Sequence, residues 1–428
     1  MKTVMELKHQ LLSGGFADQL SWLYGCEQAE TEHYAARYAR VLDGLDREFG
    51  KHETAALFSA PGRTEIGGNH TDHQHGCVLA GAVNIDMIAA VAPNGSNTIR
   101  LHSEGYSTIC VNLHELQKVE AEENTSAAIL RGTCAAFQAR GAALQGVDIY
   151  VASNVPKGSG VSSSAAFEVL LGTILNELFL ADKVSAIEIA KIGQWVENVY
   201  FGKPCGLMDQ MASSVGGVVG IDFADPAAPV VKSVNFDLAD AGLALCILDS
   251  GADHADLTDE YAAVPAECKA VAALCGGQVL RQVPYETFME NIALCRDRLG
   301  DRAVLRAMHF YADNARVGMQ IEALQRKDYA SFLALVTESG HSSWEYLQNV
   351  SPADAVKHQA VAITIALCKQ ILAGNGAVRV HGGGFAGTVQ AFVPLEQVAE
   401  FKKKTEAVLG ENHCNVMAIR PVGGLRLA

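Results

Sequence analysis

Nowhere does the sequence hold an apolar run near the roughly 20 residues that a membrane-spanning helix needs. Met1 to Leu12 is polar and charged, without the apolar stretch of a secretion signal. Charge is scarce, at 19% of residues against 49% hydrophobic, which suits a well-packed globular protein and argues against disorder. Basic residues are the scarcer sign: 33 Lys and Arg against 48 Asp and Glu leave a formal net charge of −15. Nucleic acid and an anionic membrane are poor partners for such a chain, since both carry dense negative charge. A phosphate site would have to be built locally, from backbone N–H groups, a few cations and a metal. Proline is rare, 11 residues against 40 glycines, so tight backbone approaches are expected rather than a proline-rich linker. The 11 cysteines, an odd number, lack metal-ligand spacing; Cys268 and Cys275 come closest, and no zinc site is expected. Thiols without a secretion signal point to a reducing cytoplasm.

The chain has 428 residues, more than one core usually serves, so two domains are expected, divided between Asp225 and Asp240 into 1–235 and 236–428. Up to Phe49 the pattern is helical, with Tyr34, Tyr38, Val41, Leu42 and Leu45 at helix-face spacing. Ala55 to Ser59 reads as a strand ending at Pro61-Gly62. Val78 to Ala92, charged only at Asp86, reads as a buried strand followed by a hairpin turn at Pro93-Asn94-Gly95. Further on, Ala127 to Arg140 is helical, Val147 to Ala152 and Leu243 to Leu248 are strands, and Arg302 to Leu324 and Ala355 to Leu372 are long helices. Strand and helix signals mix throughout, so the class is α+β or α/β.

Four glycine-rich segments carry chemistry. Asn154 to Ala166 (NVPKGSGVSSSAA) follows a strand and opens an apolar helical run, Phe167 to Leu178. Glycines admit phosphate oxygens to the main chain, and a helix start offers unpaired N–H groups, so this is either a phosphate loop or an ordinary N-capped helix. It is neither a Walker A loop nor a GxGxxG fingerprint. Ala60 to His73 (APGRTEIGGNHTDH) crowds an arginine, carboxylates, histidines and an asparagine among three glycines. Such a mixture is costly to bury unless it binds a ligand such as a hydroxyl-rich sugar; otherwise it is a solvated loop, the simpler reading for His73 and His75. Cys205 to Met211 sets Asp209 in an apolar run, where a lone carboxylate is compensated or functional. His381 to Gly387 (HGGGFAG) either walls a pocket or makes a tight bend.

In this order the segments resemble the galactokinases of the GHMP kinase superfamily. The family opening, APGR-x-N-x-I-G-E-H-T-D, is matched from Ala60 to Asp72 at APGR, Gly68, His70, Thr71 and Asp72. P-x-G-x-G-L-S-S-S-A is matched from Pro156 to Ala165, with Val161 in the Leu place, and C-G-x-M-D-Q is unchanged at Cys205 to Gln210. T-G-G-G-F-G-G appears as His381 to Gly387. Weaker echoes are Asp253-His254, Glu260-Tyr261, Arg306 with His309, and Ser339 with His341 to Ser343.

The resemblance implies an α+β, two-domain GHMP kinase fold: a mixed-sheet N-terminal domain, a smaller antiparallel-sheet C-terminal domain, and a site in the cleft between them. It implies ATP-dependent phosphorylation of the anomeric hydroxyl of galactose. Asp209 resembles the catalytic carboxylate and Arg63 its cationic neighbour. Asn69, His70, Asp72, Gly206 and Tyr261 would contact the sugar. Pro156, Gly158, Ser159, Gly160, Ser162, Ser163 and Ser164 would hold the phosphates, and Ser164 and Glu197 would hold Mg²⁺. The partners implied are ATP and a small sugar, with the chain a monomer or weak homodimer. The chain departs from the family at Glu65 and Asn69, which stand where the family has Asn and Glu, and at Val264-Pro265, where it has an Arg pair. A neutral Asn69 would repel a C6 carboxylate less, so kinases for galacturonate, N-acetylgalactosamine or arabinose remain rivals, and Asn69→Glu is expected to raise galactose affinity if galactose is the poorer natural ligand. A non-catalytic sugar sensor is the rival from another class, disfavoured because Ser162 to Ala166, Asp209 and Glu197 are all present.

Overall fold

The computed structural model describes residues 1–155, 160–252 and 257–428. Its strands are β1 (Lys2–Thr3), β2 (Thr54–Gly67), β3 (Cys77–Pro93), β4 (Thr98–Ser103), β5 (Ile109–Asn112), β6 (Val147–Ser153), β7 (Val218–Asp222), β8 (Val230–Val234), β9 (Leu243–Asp249), β10 (Ala377–Val380), β11 (Thr388–Pro394), β12 (Cys414–Met417) and β13 (Leu425–Arg426). Among the described residues they form two sheets. The first runs β1-β2-β3-β6-β4-β5, with β7 on β3, β8 on β7 and β13 on β2. It is mixed, since β4 lies parallel to β6 while the other pairs are antiparallel. The second, β10-β11-β9-β12, is antiparallel.

Alternation along β2 and β3 explains the layering. Ala56, Phe58, Ala89 and Val91 join the main core, whereas Ala55, Leu57, Ile88, Ala90 and Ala92 face a second core. That second core is closed by the helices Val4–Leu12, Ala17–Tyr24 and Thr31–Phe49, the last through Tyr38, Val41, Leu42 and Leu45, the expected stripe. Helix Ser163–Phe179 covers the opposite face. The second sheet packs against helices Ala360–Leu372 and Val398–Leu409. No helix among the described residues is long and apolar enough to cross a membrane.

Three expectations are corrected. First, the Pro93-Asn94-Gly95 turn closes no hairpin, because β6 intervenes between β3 and β4. Asn94 Nδ2 donates to Thr98 O at 3.0 Å and to Asp148 Oδ1 of β6 at 2.8 Å, which ties the turn to the crossing strand. Second, β2 does not stop at Pro61-Gly62. It continues through a bulge in which Pro61 lies opposite Asp86 and Arg63 opposite Ala82. A side chain at Gly62 would collide with the Val161 carbonyl, and Arg63 N–H donates to that same carbonyl at 3.0 Å. Third, the helix expected from Ala355 starts at Ala360, the preceding residues having little to bury: Val356 is 86% exposed.

The C-terminal tail returns to the first sheet. Leu425 pairs with Ser59, and buried Arg420 donates to Ser59 Oγ at 2.6 Å and to Asp86 Oδ2 at 3.2 Å. Asp86 also accepts from Arg37 at 2.9 Å and from the Tyr24 hydroxyl at 2.6 Å, so the single charge of the β3 run is fully compensated. The far end of β2 docks on the second sheet. Gln390 Nε2 donates to Thr64 Oγ1 and Glu65 O, both at 2.8 Å, and His381 Nε2 accepts from Glu65 N–H at 3.2 Å.

Candidate active site

The β2 bulge aims Arg63 across the main core at the start of helix Met208–Val215. Arg63 Nε donates to Asp209 Oδ1 and Nη2 to Oδ2, each at 2.7 Å, a forked pair. Its remaining Nη1 donates to the Gly160 carbonyl. Arg63 is 8% and Asp209 31% exposed at the side chain, so the pair sits at a rim with its carboxylate open to one side. Burial alone would raise the Asp209 carboxyl. The Arg63 charge and hydrogen bonds, with help from Ser162, outweigh it and hold the group below the usual aspartate range. Asp209 is therefore ionised at neutral pH.

Gly160 has φ +68°, and any Cβ there would strike Thr388 Oγ1. The loop exit is thus wedged against β11. Ser162 follows with φ 56° at the N-cap position of helix Ser163–Phe179, without a side-chain capping hydrogen bond. Pro156, Lys157, Gly158 and Ser159 lie outside the described residues, as does Asp253-His254. Glu197 lies at the join of helix Ala186–Val196 and a π turn, Glu197–Phe201, the kind of local irregularity that re-aims a side chain.

On the other side of Asp209, Asp72 lies against Gly206, where a Cβ would collide with the Asp72 carboxylate. His70, at φ 60°, donates from Nε2 to the Gly383 carbonyl at 2.8 Å. Burial, then the neighbouring His73, pushes its pKa down to about 3, so the ring is neutral. Its Nδ1 is left as a buried acceptor without a partner among the described residues. The Tyr261 ring centroid lies 6.5 Å from that of His70, and its hydroxyl donates to Gly384 O at 2.9 Å. Arg63, Asp209, Gly160 and Ser162 are therefore brought together, with Asp72, Gly206, His70 and Tyr261 forming the adjoining wall. Asn69 is the exception. It is wholly buried, and both ends of its amide are committed to protein groups. Its amide therefore bonds to Glu65, Gly382, Ser343 and Asn349 within the protein.

Comparison with known proteins bears on what this arrangement does. The model for the GHMP kinases N terminal domain matches residues 127–217, and the galactokinase galactose-binding signature matches residues 46–93. A galactokinase of Streptomyces coelicolor is 30% identical over 385 residues, covering 89% of this chain and 96% of its own. The chain belongs to the galactokinase family. It is accordingly a sugar kinase drawing on ATP. A second galactokinase, from Glaesserella parasuis, is 30% identical over 86% of this chain and 92% of its own. The fold is that of the Lactococcus lactis galactokinase solved with galactose (TM-score 0.77, 22% identity, 92% of this chain and 99% of that one). A Methanococcus jannaschii mevalonate kinase is more distant (TM-score 0.61, 14% identity, 86% and 99%).

Within this galactokinase fold, two buried polar clusters escaped the sequence reading. Gln210 Nε2 donates to both Glu197 Oε2 at 2.9 Å and Glu168 Oε2 at 3.0 Å. Burial first, then the Glu197 charge, raises the Glu168 carboxyl well above its ordinary value, and burial raises Glu197 too. Glu168 Oε1 and Gln210 Oε1 have no partner among the described residues. Two crowded carboxyls supply oxygens of the kind a hard divalent cation takes, but among the described residues no group of three or more His, Cys, Asp or Glu is placed to hold one. Glu168 was findable as one of two carboxylates, with Glu177, in the apolar run from Phe167 to Leu178, by the same logic that flagged Asp209. The Glu65–Arg379 ion pair, buried to 4% and 0%, had no local signal.

Proposed function

We propose that this galactokinase-family chain phosphorylates the anomeric C1 hydroxyl of galactose, giving galactose 1-phosphate and ADP. The observation that carries the reading is the forked Arg63–Asp209 pair against the phosphate-loop exit at Gly160. Phosphoryl transfer needs positioning and charge neutralisation more than covalent help from the protein. In this reading Asp209 orients the sugar hydroxyl and accepts its proton, while Arg63 keeps the carboxylate ionised and offsets charge on the transferring group. The unprotonated His70 Nδ1 and the Asp72 carboxylate accept protons from sugar hydroxyls, Gly206 leaves space for Asp72, and the Tyr261 ring lines the wall. Gly160, Ser162, Ser163 and Ser164, together with Pro156, Gly158 and Ser159, contact the phosphates. Ser164 and Glu197 would hold Mg²⁺, which would supply charge neutralisation for the transfer. Residues 1–235 and 236–428 are read as the two domains, with the tail from Arg420 onward crossing back to the first, acting in the cytoplasm as a monomer or weak homodimer.

A related sugar is the second reading, favoured by the absence of a carboxylate at position 69 and by the committed amide there. ADP release measured across galactose, galacturonate, N-acetylgalactosamine and arabinose tests both. Highest kcat/KM with galactose is the expected result. A clear preference for another sugar would replace the substrate, and no sugar-dependent turnover with any of them would favour a sensor.

A further inference from the structure

One residue of the Ala60 to His73 segment spends its whole side-chain amide on protein groups. Asn69 N–H donates to Asp313 Oδ2 at 2.8 Å, and its carbonyl accepts from His309 Nε2 at 2.9 Å. Its Oδ1 accepts from Asn349 Nδ2 at 2.8 Å and Ser343 Oγ at 3.1 Å. Its Nδ2 donates to Gly382 O at 2.7 Å and Glu65 Oε1 at 3.0 Å. A primary amide has one oxygen with two lone pairs and two N–H groups, so nothing is left for a ligand. The partners come from the long helix Asp301–Gln325, the π turn Ser343–Leu347, Asn349 two residues beyond it, the glycine turn and β2. Next to the amide, Glu65 is ion-paired with Arg379, whose Nε and Nη1 have no other partner among the described residues.

We propose that Asn69 is a positioning residue, which bolts the loop bearing His70 and Asp72 to the C-terminal half. Glu65 and Arg379 supply the local charge that makes an amide, and not a carboxylate, the required group at position 69. A carboxylate there would meet two acceptors, Glu65 Oε1 and Gly382 O, in a site with 0% exposure at Asn69. Asn69→Glu is therefore expected to harm sugar binding, the reverse of the expectation from sequence alone. The inference rests on the sugar-kinase reading only in setting His70 and Asp72 beside the sugar.

The test is steady-state kinetics of the full chain with galactose and ATP, together with hydrogen exchange at residues 68–72. Asn69→Asp and Asn69→Glu should each raise the galactose KM about tenfold or more, with the ATP KM within about twofold. Ser343→Ala, which adds no charge and removes one hydrogen bond, should raise the galactose KM roughly two- to fivefold and lower exchange protection of the loop. The exchange variant Glu65→Asn/Asn69→Glu keeps one carboxylate and one amide, and it should bind galactose at least about fivefold better than the product of the two single effects predicts. A lower galactose KM in Asn69→Glu would overturn the proposal by revealing direct sugar contact, and so would unchanged KM and protection in Ser343→Ala. If the wild-type chain turned over no sugar, the functional reading would fail. Loop protection in Ser343→Ala would still decide the bolt: lost protection supports it, unchanged protection overturns it.

Discussion

Replacing Asp209 by Asn separates the roles assigned to the Arg63–Asp209 pair. The amide keeps one oxygen that can accept from Arg63 Nε, but its NH₂ then faces Nη2, donor against donor, where a 2.7 Å hydrogen bond now stands. A charge-assisted bond contributes about 1.5–3 kcal/mol. With the Asp209 side chain 31% exposed, solvent screening favours the lower figure, about 1.5 kcal/mol. Thermal midpoint should fall by only a few degrees, roughly 3–6 °C for units of this size. Turnover should suffer far more. Loss of proton acceptance costs about 10²–10⁴-fold, and the loosened guanidinium adds to it. We expect kcat to drop about 10³–10⁴-fold, equivalent to roughly 4–5.5 kcal/mol. Since the sugar wall at His70, Asp72 and Gly206 is untouched, galactose affinity should stay within about threefold. Coupled ADP-release kinetics and calorimetric sugar titration read these quantities on the same preparation. A folded variant with kcat within about tenfold of wild type would refute the assignment of Asp209 to the chemistry.

Further outcomes follow from the same geometry. Gly206→Ala drives a Cβ into the Asp72 carboxylate, so the galactose KM should rise at least about tenfold while the ATP KM holds, by steady-state kinetics. Ser164→Ala and Glu197→Gln should shift the Mg²⁺ activation curve to about tenfold higher concentration, which a titration at saturating ATP would show. The raised Glu168 carboxyl gives a signed pH effect. The folded chain holds that proton more tightly than the unfolded one, so its stabilisation is present at acid pH and is lost as pH rises through the raised value. Glu168→Gln should therefore gain melting temperature relative to wild type more at about pH 8 than at about pH 5. Asp209, held low, behaves oppositely: its stabilisation is lost as pH falls through the depressed value.

What could be read in advance divides along sequence distance. The segments Ala60 to His73, Asn154 to Ala166 and Cys205 to Met211 stood out because each concentrates polar groups and glycine within a few consecutive residues. Helices and strands with clear periodicity, such as Thr31–Phe49 and β6, fell close to their expected positions. Pairing did not. The Pro93-Asn94-Gly95 turn carries hairpin residues, yet the competing bond from Asn94 to Asp148 lies 54 residues along the chain. Asn69 shows the same limit for function. Its side chain looks ligand-ready beside His70 and Asp72, but the groups that consume it are 274, 280 and 313 residues away. Glu65 likewise finds its counter-charge 314 residues further on. The π turns at Glu197–Phe201 and Ser343–Leu347, each of which carries a site-related side chain, leave no mark in helical periodicity.

A structure determined with galactose and a non-hydrolysable ATP analogue tests the central claim most directly. It should show the anomeric oxygen within hydrogen-bond reach of Asp209 and the terminal phosphate beside Arg63 and the Gly160–Ser164 turn. A sugar seated with its anomeric oxygen remote from Asp209, or a nucleotide bound away from that turn, would contradict it.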